Sequence, residues 1–159
     1  MNIAIYPGTF DPITRGHIDI LERASSLFDK VYLAIASSKS KKPLFSLEQR
    51  IDLAKQSLSH LDNIYMDGLT GLTVDFARER EANIIIRGIR TVADYEYELQ
   101  LANMNRSMAP KIETIFLTPA DNLSYISSSL VKEIALFGGE ISDFVAPPVE
   151  EALKKHFTK

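Results

Sequence analysis

Five short apolar segments, each followed by a stretch with helical periodicity, constrain the fold of this chain more than any other feature of its sequence. The segments are nearly continuous in apolar residues instead of alternating, which is typical of strands covered on both faces. The predicted strands are residues 3–6, 31–36, 64–67, 83–87 and 113–117. The alternation of strand and helix predicts an α/β fold, a doubly wound five-stranded parallel sheet with right-handed crossovers and helices on both faces.

The helices are predicted at about 16–28, 46–60, 71–81, 91–107, 127–137 and 147–157. Ser46 followed by Gln49 has the pattern of a capping box, and Pro147 suits the first turn of the last helix. The chain contains no internal repeat, low-complexity tract or long linker. We therefore expect residues 1–159 to form a single Rossmann-like domain.

Composition narrows the classes of function. The chain has no cysteine, so the fold needs no disulfide or thiolate metal site, and its formal net charge of -3 argues against broad nucleic-acid binding. No apolar run approaches the roughly 20 residues of a membrane span, and no basic leader precedes an apolar stretch. We expect a cytoplasmic protein that binds neither membrane nor nucleic acid.

Polar side chains follow four of the predicted strands, and ligands of an open parallel sheet bind beyond the carboxyl ends of its strands. The first strand, loop and helix direct free N–H groups and the positive end of a helix dipole toward this edge, which favours a phosphate. The polar residues concerned are Thr9 and His17 after the first strand, Lys39 and Lys41 after the second, Arg87, Gly88 and Arg90 after the fourth, and residues 118–129 after the fifth.

Each of these residues also has a plainer interpretation. His17 could donate to a phosphate beside the helix start or could be a packing residue, and Lys41 could be one of several solvated lysines. Arg87 emerges from a buried strand, where its planar fork suits phosphate. Glu98 belongs to a predicted helix whose acidic residues could be ordinary exposed charges, so by itself it does not indicate a function. The serines at 127–129 either cradle a phosphate tail or simply cap a helix.

Several motifs resemble those of the nucleotidyltransferase superfamily, which includes cytidylyltransferases and class I aminoacyl-tRNA synthetases. The shared pair is Thr14-x-Gly16-His17 and Ile126-Ser127-Ser128-Ser129. Five motifs, in order over essentially the whole chain, resemble more narrowly the bacterial phosphopantetheine adenylyltransferase family. They are Tyr6-Pro7-Gly8-Thr9-Phe10-Asp11-Pro12, Ser40-Lys41-Lys42-Pro43, Ile86-Arg87-Gly88-Ile89-Arg90, Asp94-Tyr95-Glu96-Tyr97-Glu98 and Ser127-Ser128-Ser129-Leu130-Val131-Lys132.

The resemblance implies transfer of AMP from ATP to 4'-phosphopantetheine by direct in-line attack, giving dephospho-coenzyme A and pyrophosphate in coenzyme A biosynthesis. It implies that His17 stabilises the transition state, while Thr9 and Lys41 orient the attacking phosphate. The implied ATP site comprises Thr9, Phe10, His17, Gly88, Ile89, Arg90, Glu98, Leu123, Ser124, Tyr125, Ile126, Ser127, Ser128 and Ser129. The implied phosphopantetheine site comprises Thr9, Lys41, Thr73 and Arg87.

The resemblance further implies Mg²⁺ held mainly by ATP phosphates rather than by a protein metal site, a homohexamer, and coenzyme A as a feedback inhibitor at the same site. Leu123 stands where many relatives carry an aromatic residue, so a stacking role there is not expected. Two other functions stay open. One is a related cytidylyl- or nicotinamide-mononucleotide adenylyltransferase, and the other is a regulatory module that binds ATP without chemistry.

Overall fold

The computed structural model describes residues 1–37 and 42–158. Its sheet has five parallel strands in the order β3-β2-β1-β4-β5. The strands are β1 (Ile3–Gly8), β2 (Lys30–Ala36), β3 (Ile64–Leu69), β4 (Ile84–Gly88) and β5 (Glu113–Leu117). The predicted α/β fold with a parallel five-stranded sheet is therefore confirmed.

Six α-helices connect and follow the strands in the described part of the chain. They are α1 (Arg15–Leu27), α2 (Leu47–Ser57), α3 (Thr73–Glu79), α4 (Val92–Met108), α5 (Ser128–Leu136) and α6 (Pro147–Phe157). The boundaries agree with prediction to within three residues, and the capping box of α2 is formed, because Ser46 N–H donates to Gln49 Oε1 at 2.9 Å. A short 3-10 turn, Asp121–Leu123, was not predicted.

The central strands β2, β1 and β4 are largely buried on both faces, as their continuous apolar residues predict, whereas the edge strands β3 and β5 are partly exposed. Alternate residues of β1 enter different cores: Ala4 and Tyr6 pack in one, and Ile3 and Ile5 in the other. The larger core joins β1 and β2 to α1, α2, α5 and α6, while the smaller one packs against α3. Within the described residues, no helix is long and apolar enough to cross a membrane.

The strand order creates a switch point beside β1. From β1 the chain proceeds to β2 and β3 on one side and then returns to β4 and β5 on the other. The loops that leave β1 and β4 consequently diverge, and the crevice between them is where ligands bind in open α/β sheets. The fold thus brings the loop after Gly8 and the segment after Gly88 to one site.

Candidate active site

A cavity of about 290 Å³ lies at this switch point, beyond the carboxyl ends of β1 and β4. Its wall contains cationic, hydroxyl and aromatic side chains, and among the described residues that line it none is a carboxylate. The lining residues are Tyr6, Pro7, Gly8, Thr9, Phe10, Thr14, Gly16, His17, Ile20, Arg87, Gly88, Arg90, Pro119, Ile126, Ser127, Ser128 and Ser129. Such a lining suits an anionic ligand.

The cavity brings together many of the residues singled out from sequence, namely Thr9, Phe10, His17, Arg87, Gly88, Arg90, Ile126, Ser127, Ser128 and Ser129. Others do not line it: Thr73, Ile89, Glu98, Leu123, Ser124 and Tyr125. Thr73 begins α3, which packs against β1 in the smaller core on the side of the sheet that holds Ile3 and Ile5. Lys41 and its neighbours 38–40 lie outside the described residues.

The loop after β1 is shaped by Phe10, whose backbone has a φ of 48°. Its buried ring packs edge-on against Tyr6 at 5.2 Å and against His17 at 4.8 Å between ring centroids. A Cβ on Gly8 would lie only 2.9 Å from the Phe10 ring, so this turn requires glycine at position 8. The aromatic contacts hold the His17 ring against the cavity wall.

His17 belongs to a capping box at the start of α1. Thr14 is the N-cap, and its backbone N–H donates to His17 Nδ1 at 3.0 Å. Because a backbone N–H can only donate, Nδ1 must be the unprotonated ring nitrogen, and the proton resides on Nε2. Sequence reasoning missed this bond because Glu or Gln usually occupies the N3 position of a capping box. The fold therefore presents a neutral imidazole with Nε2–H as its donor.

Burial, and secondarily the positive charge of Arg90, lower the pKa of His17 to about 4 from its ordinary value of 6.5. The ring is consequently neutral at pH 7. Between pH 6.5 and pH 4 the His17 ring is protonated in the unfolded chain but not in the folded protein. His17 therefore makes folding less favourable as the pH falls through this range, and it has no such effect above pH 6.5.

The tautomer and pKa can be read from the ¹⁵N chemical shifts of the His17 ring, with the His17→Gln variant identifying its signals. We expect the Nε2–H tautomer from pH 8 down to about 5, with protonation centred near 4. A midpoint near 6.5 would contradict the lowered pKa, and a neutral ring with its proton on Nδ1 would contradict the assigned hydrogen bond.

Arg87, at the end of β4, is held by Glu98 of α4. Its Nε donates to Glu98 Oε2 at 2.7 Å and its Nη2 to Oε1 at 2.8 Å, which is a bidentate pair. The third arm, Nη1, reaches Pro7 O at 3.3 Å. Glu98 is only 7% exposed. Glu98 thus orients Arg87 from behind, and Arg87 lies between Glu98 and the cavity.

The far wall joins the segment after β4 to the start of α5. Arg90 Nη1 donates to Ile126 O at 3.0 Å, and Ser128 Oγ donates to Pro12 O at 2.8 Å. Ser127 is the N-cap of α5, since its Oγ accepts from Leu130 N–H at 3.1 Å. Capping is therefore one role of the serine cluster, and the first turn of α5 also borders the cavity.

Sequence reasoning assigned no role to two buried charges beside the site, Asp11 and Arg50, which are 3% and 2% exposed. Asp11 pairs with Lys132 Nζ at 3.1 Å. Hydrophobic periodicity cannot reveal such residues, because it identifies which faces are buried and not which polar groups find partners there.

Comparison with known proteins agrees with this geometry. Residues 5–134 match the family model described as cytidylyltransferase-like, which places the chain in that class of nucleotidyltransferases. Over 157 residues, 99% of this chain and 98% of the relative, the sequence is 55% identical to the phosphopantetheine adenylyltransferase of Hahella chejuensis (strain KCTC 2396). The chain therefore belongs to the phosphopantetheine adenylyltransferase family, as its motifs predict.

Solved structures with low sequence identity share the fold. A Vibrio parahaemolyticus protein provisionally named nicotinate-nucleotide adenylyltransferase superposes with a TM-score of 0.76 at 18% identity, covering 100% of this chain and 98% of that one. The Plasmodium falciparum nicotinic acid mononucleotide adenylyltransferase complexed with NaAD gives 0.73 at 18% identity, covering 98% and 95%. These likenesses support the Rossmann-like architecture alone.

Proposed function

We propose that this protein transfers AMP from ATP to 4'-phosphopantetheine, releasing dephospho-coenzyme A and pyrophosphate. The observation that carries the proposal is the cavity between β1 and β4, where a neutral histidine donor, two arginines and a helix start converge in a chain 55% identical to a phosphopantetheine adenylyltransferase. This lining supplies donors for phosphate oxygens and no carboxylate that would repel them.

The reaction we propose needs no nucleophile from the protein. A phosphate oxygen of the acceptor attacks the α-phosphorus of ATP, and the bond from that phosphorus to the bridging oxygen breaks as pyrophosphate leaves. His17 donates its Nε2–H to an α-phosphate oxygen, where negative charge grows in the transition state. The neutral tautomer supports this role, since Nδ1 is already occupied by Thr14.

The two substrates are assigned to different groups of residues, not all of which line the cavity. Thr9, Lys41, Thr73 and Arg87 are assigned to 4'-phosphopantetheine, with Thr9 and Lys41 orienting its phosphate. The start of α5 receives the β- and γ-phosphates of ATP, since its first-turn N–H groups and serine hydroxyls favour anions. The remaining ATP-side assignments are proposed from the motifs: Thr9, which is shared with the acceptor, Phe10, Gly88, Ile89, Arg90, Glu98 and residues 123–126.

Mg²⁺ is proposed to bind together with ATP. Within residues 1–37 and 42–158, no group of three His, Cys, Asp or Glu side chains could hold a metal ion. The cavity lining offers hydroxyls but no carboxylate. These residues fit an ion that takes its ligands from phosphate oxygens and water, where it would neutralise phosphate charge.

A pyrophosphate-release assay with ATP and a panel of acceptors tests the proposed function. We expect release with 4'-phosphopantetheine and at least about a hundredfold lower kcat/KM with nicotinate mononucleotide, because a site built for one acceptor leaves polar groups unpaired with another. Release with the mononucleotide alone would assign a different acceptor. ATP binding without release with either acceptor would favour a regulatory module.

We also propose that the protein self-associates, as a homohexamer. The helix α4 supports this, because its buried side includes Glu98 and Asn105 while large apolar side chains face outward. Val92 is 85% exposed, Met104 66% and Tyr97 63%. A covering second copy would remove this apolar surface from water. Sedimentation velocity measures the assembly directly, and a monomer at micromolar concentration would contradict the proposal.

Coenzyme A is proposed as a feedback inhibitor, because it shares the phosphopantetheine portion of the product. If it binds at the same cavity, it should compete with ATP in equilibrium binding, whereas independent binding would place it elsewhere. The cytoplasmic location inferred from the sequence stays a prediction, and fractionation of cells that express the chain would check it.

A further inference from the structure

Arg50 of α2 is a buried charge that contacts three separate segments of backbone. It is 2% exposed. Its Nη1 donates to Ala36 O at 2.7 Å and to Thr9 O at 2.8 Å, and its Nε donates to Phe45 O at 3.1 Å. A guanidinium can hold several acceptors at fixed angles, whereas a lysine ammonium offers a single nitrogen.

These three carbonyls have a particular place in the fold. Ala36 is the last residue of β2, and Phe45 lies just before α2 begins at Leu47. Arg50 therefore fastens both ends of the connection between β2 and α2. It also joins them to Thr9, in the loop after β1 that lines the cavity. Lys41 lies within this connection in the sequence.

Asp11 holds the same connection through two of its backbone N–H groups. Its Oδ2 accepts from Leu44 N–H at 2.7 Å, and its Oδ1 accepts from Phe45 N–H at 3.0 Å. The carbonyl of Phe45 is bonded to Arg50 and its N–H to Asp11, so two buried charges of opposite sign hold one residue. Lys132 of α5 forms an ion pair with Asp11, with 3.1 Å between Nζ and Oδ2.

Arg50 does not line the cavity, so it cannot act on a ligand there directly. Its three hydrogen bonds nevertheless set the position of Thr9 relative to the β2–α2 connection. Under the proposed function, both segments carry residues assigned to the acceptor phosphate, Thr9 and Lys41, and Thr9 is assigned to ATP as well. The ATP-side residues of β4 and α5 make none of these bonds.

We propose that Arg50, supported by Asp11, is a positioning residue for the acceptor phosphate: it holds the backbone at Thr9 in place against the two ends of the β2–α2 connection, Ala36 and Phe45. This inference rests on the proposed function. It predicts that substitution of Arg50 impairs use of the acceptor more than binding of ATP. Misplacing a positioning group by about 1 Å is enough to lower reaction rates up to about a hundredfold.

The test is steady-state kinetics of Arg50→Lys, with ATP affinity measured separately by calorimetry. We expect kcat/KM for 4'-phosphopantetheine to fall about ten- to a hundredfold, with the Kd of ATP within about threefold of wild type. Lys41→Ala should shift the acceptor parameters in the same direction. The matched control is Lys55→Met, an exposed residue of the same helix, which should change neither.

A double-mutant cycle separates positioning from a general loss of structure. If Arg50 acts through the connection that contains Lys41, Lys41→Ala should lower kcat/KM for 4'-phosphopantetheine less in the Arg50→Lys background than in the wild type. We expect the two fold-changes to differ by at least about threefold. Full additivity would overturn the inference, as would equal damage to ATP and acceptor binding. If Arg50→Lys does not fold, Asp11→Asn replaces it, with Lys132→Met as the control for the contact between Asp11 and α5, and acceptor kinetics of Asp11→Asn that match those of this control reject the role.

The outcomes distinguish the two proposals. A wild-type chain that releases no pyrophosphate with 4'-phosphopantetheine rejects the proposed function and the inference with it. A wild-type chain that turns over normally, combined with an Arg50→Lys variant whose acceptor kinetics match wild type, rejects the positioning role alone.

Discussion

Replacing His17 by glutamine is expected to lower turnover about a hundredfold or more while the affinity for ATP stays within roughly tenfold. The physical reason lies in the two ring nitrogens of His17. Nδ1 accepts from Thr14 N–H and caps α1, whereas Nε2–H is the donor assigned to the α-phosphate. A glutamine at this N3 position can still accept the capping bond, but it cannot fill both positions of the imidazole.

The measurement is single-turnover pyrophosphate release combined with thermal unfolding, for both His17→Gln and His17→Ala. Both variants should lose turnover, while only alanine should also lose the side-chain bond to Thr14 N–H, at a cost of about 0.5 to 1.5 kcal/mol. Near-normal turnover in either variant would refute a transition-state role. A loss of turnover that tracked stability, large in alanine and small in glutamine, would reduce His17 to a capping residue.

Replacing Arg87 by methionine is expected to lower the free energy of unfolding by about 3 kcal/mol or more, because it leaves Glu98 buried without its partner. Glu98 is 7% exposed and accepts two hydrogen bonds from the Arg87 fork. Breaking one half of a buried pair is costly since the remaining charge keeps its desolvation penalty. The double variant Arg87→Met/Glu98→Leu should recover at least half of the loss.

Urea unfolding at one fixed protein concentration provides the measurement, because self-association would otherwise change the apparent stability. The control is Arg106→Met, which removes an exposed pair with Glu113 in which both side chains are more than half exposed. We expect that control to change stability by no more than about 1 kcal/mol. An equally small effect of Arg87→Met would mean that Glu98 finds water or another partner.

Much of the fold could be predicted because the relevant signals are local. Continuous apolar segments identified all five strands, and the capping pattern at Ser46 marked the start of α2 within one residue. The end of α2 was less accurate, since the helix stops at Ser57 and not at residue 60. No breaker stands between these positions, so tertiary packing decides where the last turn ends.

The candidate site was predictable in its outline and not in its contacts. Strand ends in a parallel sheet share one edge, which is why Thr9, His17, Arg87 and the serine cluster could be grouped from sequence and are grouped in the cavity. Glu98 was assigned to the ATP site, yet it lies behind Arg87 and does not line the cavity. A helical residue's orientation toward a neighbouring strand depends on packing between elements, which the sequence does not express.

The sequence by itself determined the α/β architecture, the sheet edge where the candidate polar residues gather and the family, because hydrophobic period, turn chemistry and motifs are properties of short segments. Only the tertiary structure decided the tautomer of His17, the pairing of Arg87 with Glu98, and the hydrogen bonds by which Asp11 and Arg50 hold the backbone of Phe45. Apart from the His17 cap, these contacts join residues that chain folding alone brings together. A buried charge is tolerated only where partners from other elements satisfy it, and that condition is met in three dimensions.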